Sequence, residues 1–421
     1  MPKNKRPTPR KSAPSPEEKE AALIQQICDL ALALAEQEVE EEEPEQGGQA
    51  QQPGTAAATQ AELHKIVRKC LHRKEDDILY EALERAKDTD IDAWQVLKEC
   101  MDEASEVALI RRDQGADIEI NAFVIPVFAR TDGGLHAEQC FTDQDAFDAL
   151  GKSLQLAGLE SADARVVLVN HAYHLDEIDS ITYSNLSDMI RDAYTSMTDI
   201  KAALAGTPAI DRSFGGWPDN LFQPGDQAIE LRFLLGFALK SVDDAFYSVP
   251  QEEAAMDAYF EQRAERFRLW SESAAPLLQR LLVTDGAAID INFLYQDLFH
   301  GGKERGIAEY FMLQMMATLN QALADGGIPA EATRAAIGPV TLRDDIFLRV
   351  NLYRETDGAL VATADKPLGI GSDRDLQNEI DDAFDALGTL GVASLSIATG
   401  FDEEGQALEL RPYLADLEPA E

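Results

Sequence analysis

DIEINAFVIPVFART, residues 117–131, is where the chain changes its period from helical to extended. Ile118, Ile120, Ala122 and Val124 alternate with Glu119, Asn121 and Phe123, and a period of two predicts a half-buried strand. Two later stretches repeat the pattern: Ile229, Leu231, Phe233, Leu235, Phe237 and Leu239, then Ile346, Leu348, Val350 and Leu352.

Each strand opens a similar series. The first runs through Asp132-Gly133 to a short strand at Leu135–Cys140, a helix from Asp143 to Ala157 and a strand at Val166–Val169. The third uses Asp357-Gly358, a strand to Ala364, a helix from Asp373 to Leu387 and a strand at Val392–Ala398. The middle one turns at Asp243-Asp244, continues through Phe246–Val249, enters a helix at Pro250 and closes with Ile289–Tyr295. Asp-Gly between strand patterns marks a hairpin, because glycine accepts the positive φ of a type I′ turn. Thr-Asp-Gly-x-Leu-x-Ala recurs at 131–137 and 356–362, and Ala-Phe-Asp-Ala-Leu-Gly at 146–151 and 383–388. The expected fold is α+β (mixed α/β): a helical N-terminal region followed by about three β-β-α-β units with additional helices.

Upstream, Leu23, Ile27, Leu30 and Leu34 predict a helix over 16–35, ahead of the acidic block Glu36–Glu45 and a Gly/Gln/Pro/Ala linker. Three more helices are expected at Ala61–Arg73, Asp76–Lys87 and Ile91–Leu109. Downstream, Ser187–Ala203 and Ile307–Ala324 read as helices, the latter with Met312, Met315 and Met316 facing a core. The helix after Pro250 should turn Met256, Phe260, Phe267 and Trp270 inward and bend or restart at Pro276, which lacks an amide. The division is 1–59 (basic arm expected to be disordered, one helix, acidic linker), 60–110 (helical), 111–210 (first unit), 211–225 (linker), 226–340 (second unit) and 341–421 (third unit).

The 421 residues carry a formal net charge of −40. Residues 1–57 contribute −5 of it, so the acid is spread over the folded units. Such a body repels nucleic acid and anionic lipid, both of which are bound through their phosphates. Basic residues gather at 3–11, 64–74 and 300–305, and only the arm leaves nucleic acid thinkable. The helix with Lys65, Arg68, Lys69, Arg73 and Lys74 reads either as a contact for an acidic partner or as a counterweight to the acidic block before it. Cys28, Cys70, Cys100 and Cys140 form neither a C-x-x-C motif nor a disulfide framework, which suggests a reducing cytosol. No apolar run reaches the length of a membrane span, and residues 1–15 lack the apolar core of a secretory signal. A cytoplasmic protein is expected.

Two constellations bear chemistry. His171, His174, Asp176 and Glu177 follow the strand at 166–169, and two imidazoles with a carboxylate suit zinc, iron or manganese with an open position for water. Ordinary polar residues at a strand end are the alternative. His300, Gly301, Gly302, Lys303 and Arg305 fall between a strand and a helix, where amides, glycines and cations together suit an anion. The segment is not a P-loop, and a solvated connection is the alternative. The stretch Asp211–Pro224, with Trp217 and Phe222, reads as a binding loop or a packed linker. No nucleophile elbow or Cys-His pair is present, and no catalytic residue, cofactor or oligomeric state is implied.

The segments LALALA (30–35), INAFVIPVFART (120–131), LRFLLGFALKS (231–241) and FLYQDLFHGGKERGIAEY (293–310) resemble an uncharacterised proteobacterial family known only as a domain of unknown function. The resemblance implies a bacterial cytoplasmic protein and supplies no activity or site residue. The functional expectation is a non-enzymatic binding or regulatory protein for a small anionic ligand or a partner protein. A metal-dependent hydrolase at the histidine cluster and a salt-adapted scaffold are the alternatives.

Overall fold

The computed structural model describes residues 15–42, 54–111, 117–131, 141, 143–154, 165–198, 209–210, 229–242, 249–282, 289–343, 345–368, 376–402 and 405–412. The basic arm, the Asp132-Gly133 turn with its strand to Cys140, His136, the 211–225 linker and the Asp243-Asp244 turn lie outside these residues.

Four helices come first: α1 (Pro16–Glu42), α2 (Gly54–Arg73), α3 (Asp76–Thr89) and α4 (Ile91–Glu106). Their three- and four-residue apolar spacing brings Ile27, Leu63, Leu79 and Leu97 into one core. α1 runs into the acidic block, and α2 starts at Gly54, inside the expected linker, where Ala56–Ala58 favour helix. Asp90 separates α3 from α4 and caps the latter, accepting from Ala93 N at 2.9 Å. α4 stops at Glu106, short of the expected Leu109, because Val107–Ile110 pairs in a sheet as β1.

The middle of the chain supplies β2 (Ile118–Thr131), α5 (Gln144–Ser153), β3 (Arg165–His174), α6 (Leu175–Asp179), α7 (Tyr183–Thr198), β4 (Ala209–Ile210), β5 (Ile229–Ser241), α8 (Glu253–Leu281), β6 (Ile289–Phe293), β7 (Asp297–Leu298) and α9 (Phe299–Gly326). Their strands form one sheet in the order β1-β2-β5-β3-β4. The strands that open the first and middle series, β2 and β5, are antiparallel neighbours from Ile118↔Ser241 to Arg130↔Ile229. The two series therefore share a sheet. The second edge of β2 is taken in turn by β1, β7 and β6. β7 and β6 part around Pro126, which offers no N–H; Leu294 N still donates to its carbonyl, and the strand lapses over Leu294–Gln296.

Alternation suggested strands with one wet face, yet both faces of this sheet are covered. Phe123, Ile125 and Val127 pack with Phe147 of α5 and Trp270 of α8. Ile120, Ala122 and Val124 pack with Leu186 and Met189 of α7 and Phe299 of α9. α8 runs unbroken through Pro276, so of the expected bend or restart the helix does not restart. Trp270, Ala274, Leu278 and Leu281 hold it to the sheet on either side of the proline. The carbonyl deprived of a donor belongs to the exposed Glu272, on the solvent side. No described residue of α8 before Trp270 is buried, and Phe260, expected inward, is 46% exposed.

A 3-10 turn at Ala330–Ala332 leads into β8 (Thr333–Leu342), β9 (Asp345–Arg354), β10 (Leu360–Pro367), α10 (Leu376–Leu390), β11 (Ser394–Ile397), β12 (Gly400–Phe401), β13 (Ala407–Leu408) and β14 (Arg411–Pro412). β9–β10–α10–β11 follows the expected β-β-α-β order. The sheet order is β10-β9-β8-β11-β14. β8 begins before position 341 but pairs along β9 and parallel to β11, so it belongs with the C-terminal sheet. Met312 and Met315 of α9 lie in this sheet's core with Leu348, Val350 and Ile380. α9 thus packs its first turns on one sheet and its later turns on the other. The fold is mixed α+β. Among the described residues no helix is long and apolar enough to cross a membrane.

Candidate functional site

β3 runs on through the histidine cluster, with an irregularity against β5 between Leu168 and Ala172. His171 is buried and its Nε2 lies 2.9 Å from Glu177 Oε2. The same Glu177 oxygen accepts His174 N at 2.7 Å, and His174 Nδ1 accepts Asp176 N at 3.4 Å. This is a capping box that starts α6 with an imidazole in place of a hydroxyl. Burial works to raise the Glu177 carboxyl, but the bonds from His171 and His174 and the charge of Arg232 hold it below its usual range. Burial, then Arg232, lowers His174. Asp176 points to solvent. His171 Nε2 is taken by Glu177 and His174 caps a helix; His171 Nδ1 is buried without a hydrogen-bond partner among the described residues, and no second donor converges on it. Among the described residues no group of three or more His, Cys, Asp or Glu is placed to hold a metal ion.

The expected anion loop is helix. His300–Gly306 forms the first turns of α9. A Cβ on Gly302 would meet Val124 Cγ2 at 2.7 Å, and one on Gly306 would meet Phe233 Cε1 at 2.8 Å. These glycines bring the helix down onto the sheet. The amide of His300 donates to Glu106 Oε2 at 3.0 Å, so an internal carboxyl oxygen already occupies the helix N-terminus. Lys303 Nζ pairs with Asp179 at 3.4 Å and Arg305 Nη1 with Asp297 at 3.0 Å. The basic helix α2 is also engaged: His64 lies 3.5 Å from Glu103, and Lys74, just past its end, 2.7 Å from Asp188.

His300 stands in a constellation that sequence spacing could not reveal. Ser105 Oγ is 2.9 Å from His300 Nε2, and Asp102 Oδ1 is 3.5 Å from His300 Nδ1. Tyr183 donates to Asp102 at 3.0 Å and stacks on the His300 ring, with centroids 5.1 Å apart. Serine, imidazole and carboxylate in this order suggest acyl transfer. Burial argues otherwise: Ser105 is 0% exposed. Burial, with Lys303 and Lys98 nearby, lowers His300 to about 3, which keeps it neutral. Ser105 also bonds the Asp102 carbonyl at 2.9 Å. The cluster is a polar seam that joins α4, α7 and α9. Burial first, then Asp102 and Asp297, push Glu106 up to about 8 against the opposing His300 amide and Lys98. Burial works against the Lys98 charge, but Asp102 and Glu304 push it to about 12.

An open site lies elsewhere. A groove of about 760 Å3 runs between α8 and the segment Ile291–Tyr295. Phe260, Arg263, Phe267, Arg268 and Ser271 recur along α8 at helical spacing and form one wall. Phe267 lies 4.9 Å from Tyr295 and 5.5 Å from Trp270, and Trp270 lies 5.1 Å from Phe293, centroid to centroid. The Arg263 guanidinium sits 3.9 Å over the Tyr295 ring. Arg305, from the expected anion set, reaches the same groove; His300, Gly301, Gly302 and Lys303 do not. Arg268 is exposed and held between Glu265 and Glu272. The groove is missed by sequence reasoning because its walls belong to separate elements that only the fold brings together. Its one available signal is basic residues on α8 interleaved with aromatics.

No curated protein and no solved structure matches the chain. A family model matches residues 56–354, a span that holds α3 to β9 and every residue of the groove. The chain belongs to the family described as "Protein of unknown function (DUF2863)".

Proposed function

We propose that the protein is a non-enzymatic binding protein of the cytosol, and that the groove between α8 and Ile291–Tyr295 is its recognition site for an anionic partner. One observation carries this reading. In a chain of net charge −40, three guanidiniums, Arg263, Arg268 and Arg305, line one aromatic-walled groove. Aromatic and arginine side chains are the groups that dominate binding hot spots, and arginine pairs with carboxylate or phosphate by two bonds at once. The groove is concave, largely apolar and fixed by a helix and a strand, as ligand sites generally are. Among the described residues the hydrolase reading lacks a donor set, and Ser105 of the Ser105–His300 pair is fully buried.

Calorimetric titration of the full chain with phenyl phosphate, which carries a ring and an anion, tests the site. Arg263→Ala should weaken binding about tenfold. Arg334→Ala, on the C-terminal sheet, should leave it unchanged. Equal loss in both variants, or in neither, contradicts the assignment.

A further inference from the structure

Resting on the groove reading above, we propose that its ligand is an extended segment of a partner protein, acidic and apolar in alternation, that adds as a strand to the outer edge of β6. Among the described strands β6 pairs with β2 alone, from Val127↔Phe293 to Thr131↔Ile289. Leu294 N donates to Pro126 O at 3.0 Å, which marks 126/294 as a hydrogen-bonded pair. Antiparallel pairs alternate, so Asn292 and Asp290 also turn their amides and carbonyls to β2. Ile291 and Phe293 turn theirs outward, on the groove side.

One residue of this outward set already shows what the edge accepts. The side-chain amide of Gln279 donates to Ile289 O at 2.8 Å, in the place of a partner strand. Beyond it, Ile291–Tyr295 lines the groove as a continuous run of five residues. Three of them, Ile291–Phe293, belong to β6 and span about 10 Å, and they carry the outward amides and carbonyls of Ile291 and Phe293. A strand edge flanked by a helix is the geometry that receives extended peptides: main-chain bonds supply affinity, and alternate side chains supply specificity.

The side chains state the partner's chemistry. α8 packs on one face of the sheet and α9 on the other. Alternate residues of an added strand therefore fall towards α8 and towards Arg305 of α9. Phe260 and Phe267 favour apolar or aromatic residues on the α8 side, with Arg263 and Arg268 at the rim. Arg305 gives Nη1 to Asp297 but is 40% exposed, and its remaining N–H groups favour a carboxylate on the other. The remaining charge of the body acts weakly here, because ionic screening reduces interactions beyond about 8 Å at physiological salt, and the nearest charges decide.

The experiment is titration of the full chain with acetyl-Val-Glu-Phe-Glu-Val-Glu-amide and two twins N-methylated at adjacent central residues, with phenyl phosphate as a third probe. Neighbouring amides of a strand point opposite ways. One twin should lose at least about tenfold in affinity and the other should match the parent peptide. Arg263→Ala should weaken the parent peptide as well. Twins that bind alike, or binding of phenyl phosphate alone, overturn strand addition and leave the groove as a binding site. Peptide affinity unchanged by Arg263→Ala, or no binding of any probe, overturns both. Self-association of the chain that the peptide reverses identifies a second copy as the natural occupant and overturns the partner segment.

Discussion

Glu106 Oε2 accepts the amide hydrogen of His300 at 3.0 Å, and this bond ties the end of α4 to the start of α9. α9 continues from there to the second sheet, so one buried carboxyl stands where the helical bundle meets the helix that links the two sheets.

Glu106 makes stability depend on pH. Folding raises its carboxyl from 4.5 to about 8. The folded state keeps a proton that the unfolded chain has given up between those values. This contribution is full below about pH 4.5 and is lost as pH rises through about 8. Glu106→Gln keeps an acceptor for His300 N and removes the ionisation. Chemical denaturation at pH 5 and pH 8.5 should show the variant gaining, relative to the parent, on the order of 2–4 kcal/mol across the window. A constant difference contradicts the raised carboxyl.

His300 works in the opposite direction. Its folded value of about 3 lies below 6.5, so its share of stability is present above pH 6.5 and lost as pH falls towards 3. His300→Ala also removes the ring that Tyr183 stacks on and that Ser105 bonds, and it leaves a cavity in a buried seam. A loss of about 2–4 kcal/mol is expected at pH 7, where the imidazole is neutral. Ser105→Ala should cost about 1–2 kcal/mol. Urea titration measures both.

The glycines at the start of α9 separate packing from anion binding. Gly306→Ala drives a methyl into Pro126 and Phe233, with contacts at 2.9 and 2.8 Å, and should cost about 1–3 kcal/mol. Gly301→Ala meets only Asp297 at 3.9 Å and should be neutral or stabilising, because alanine favours helix. Equal melting temperatures for the two variants would remove the packing role.

Lys366 and Glu379 pair inside the C-terminal unit, both buried. Lys366→Met leaves a buried carboxylate without its partner and should cost about 3–5 kcal/mol. Adding Glu379→Leu should recover most of that loss. A double variant no better than the single one would show that the pair itself, rather than the stranded charge, carries the stability.

The strands were legible in the sequence because alternation survives even where both faces are buried: Ile120 and Phe123 lie in different cores but on the expected sides of β2. β8 was not legible, because Thr333–Leu342 mixes small residues with glycine and proline and takes its order from β9 and β11. The start of α9 read as a loop because glycines usually end helices, whereas here Gly302 and Gly306 let one approach a sheet. Of the expected anion set only Arg305 reaches the groove. Side chains far apart in sequence met unannounced: Ser105 with His300, Arg263 with Tyr295. Local spacing carries no information on such pairs, because the topology brings them together.

Blocking the groove tests the central claim most directly. Ser271 lies in its wall. In a Cys140→Ser background, Ser271→Cys places a thiol there, while burial raises the Cys28 thiol and pushes Cys70 and Cys100 to about 11 and 12, which slows their labelling. Phenyl phosphate is then titrated by calorimetry into the variant before and after a bulky maleimide is attached. The groove account predicts binding to the unlabelled protein and at least about a tenfold loss once the label is in place. Equal affinity before and after labelling would contradict it.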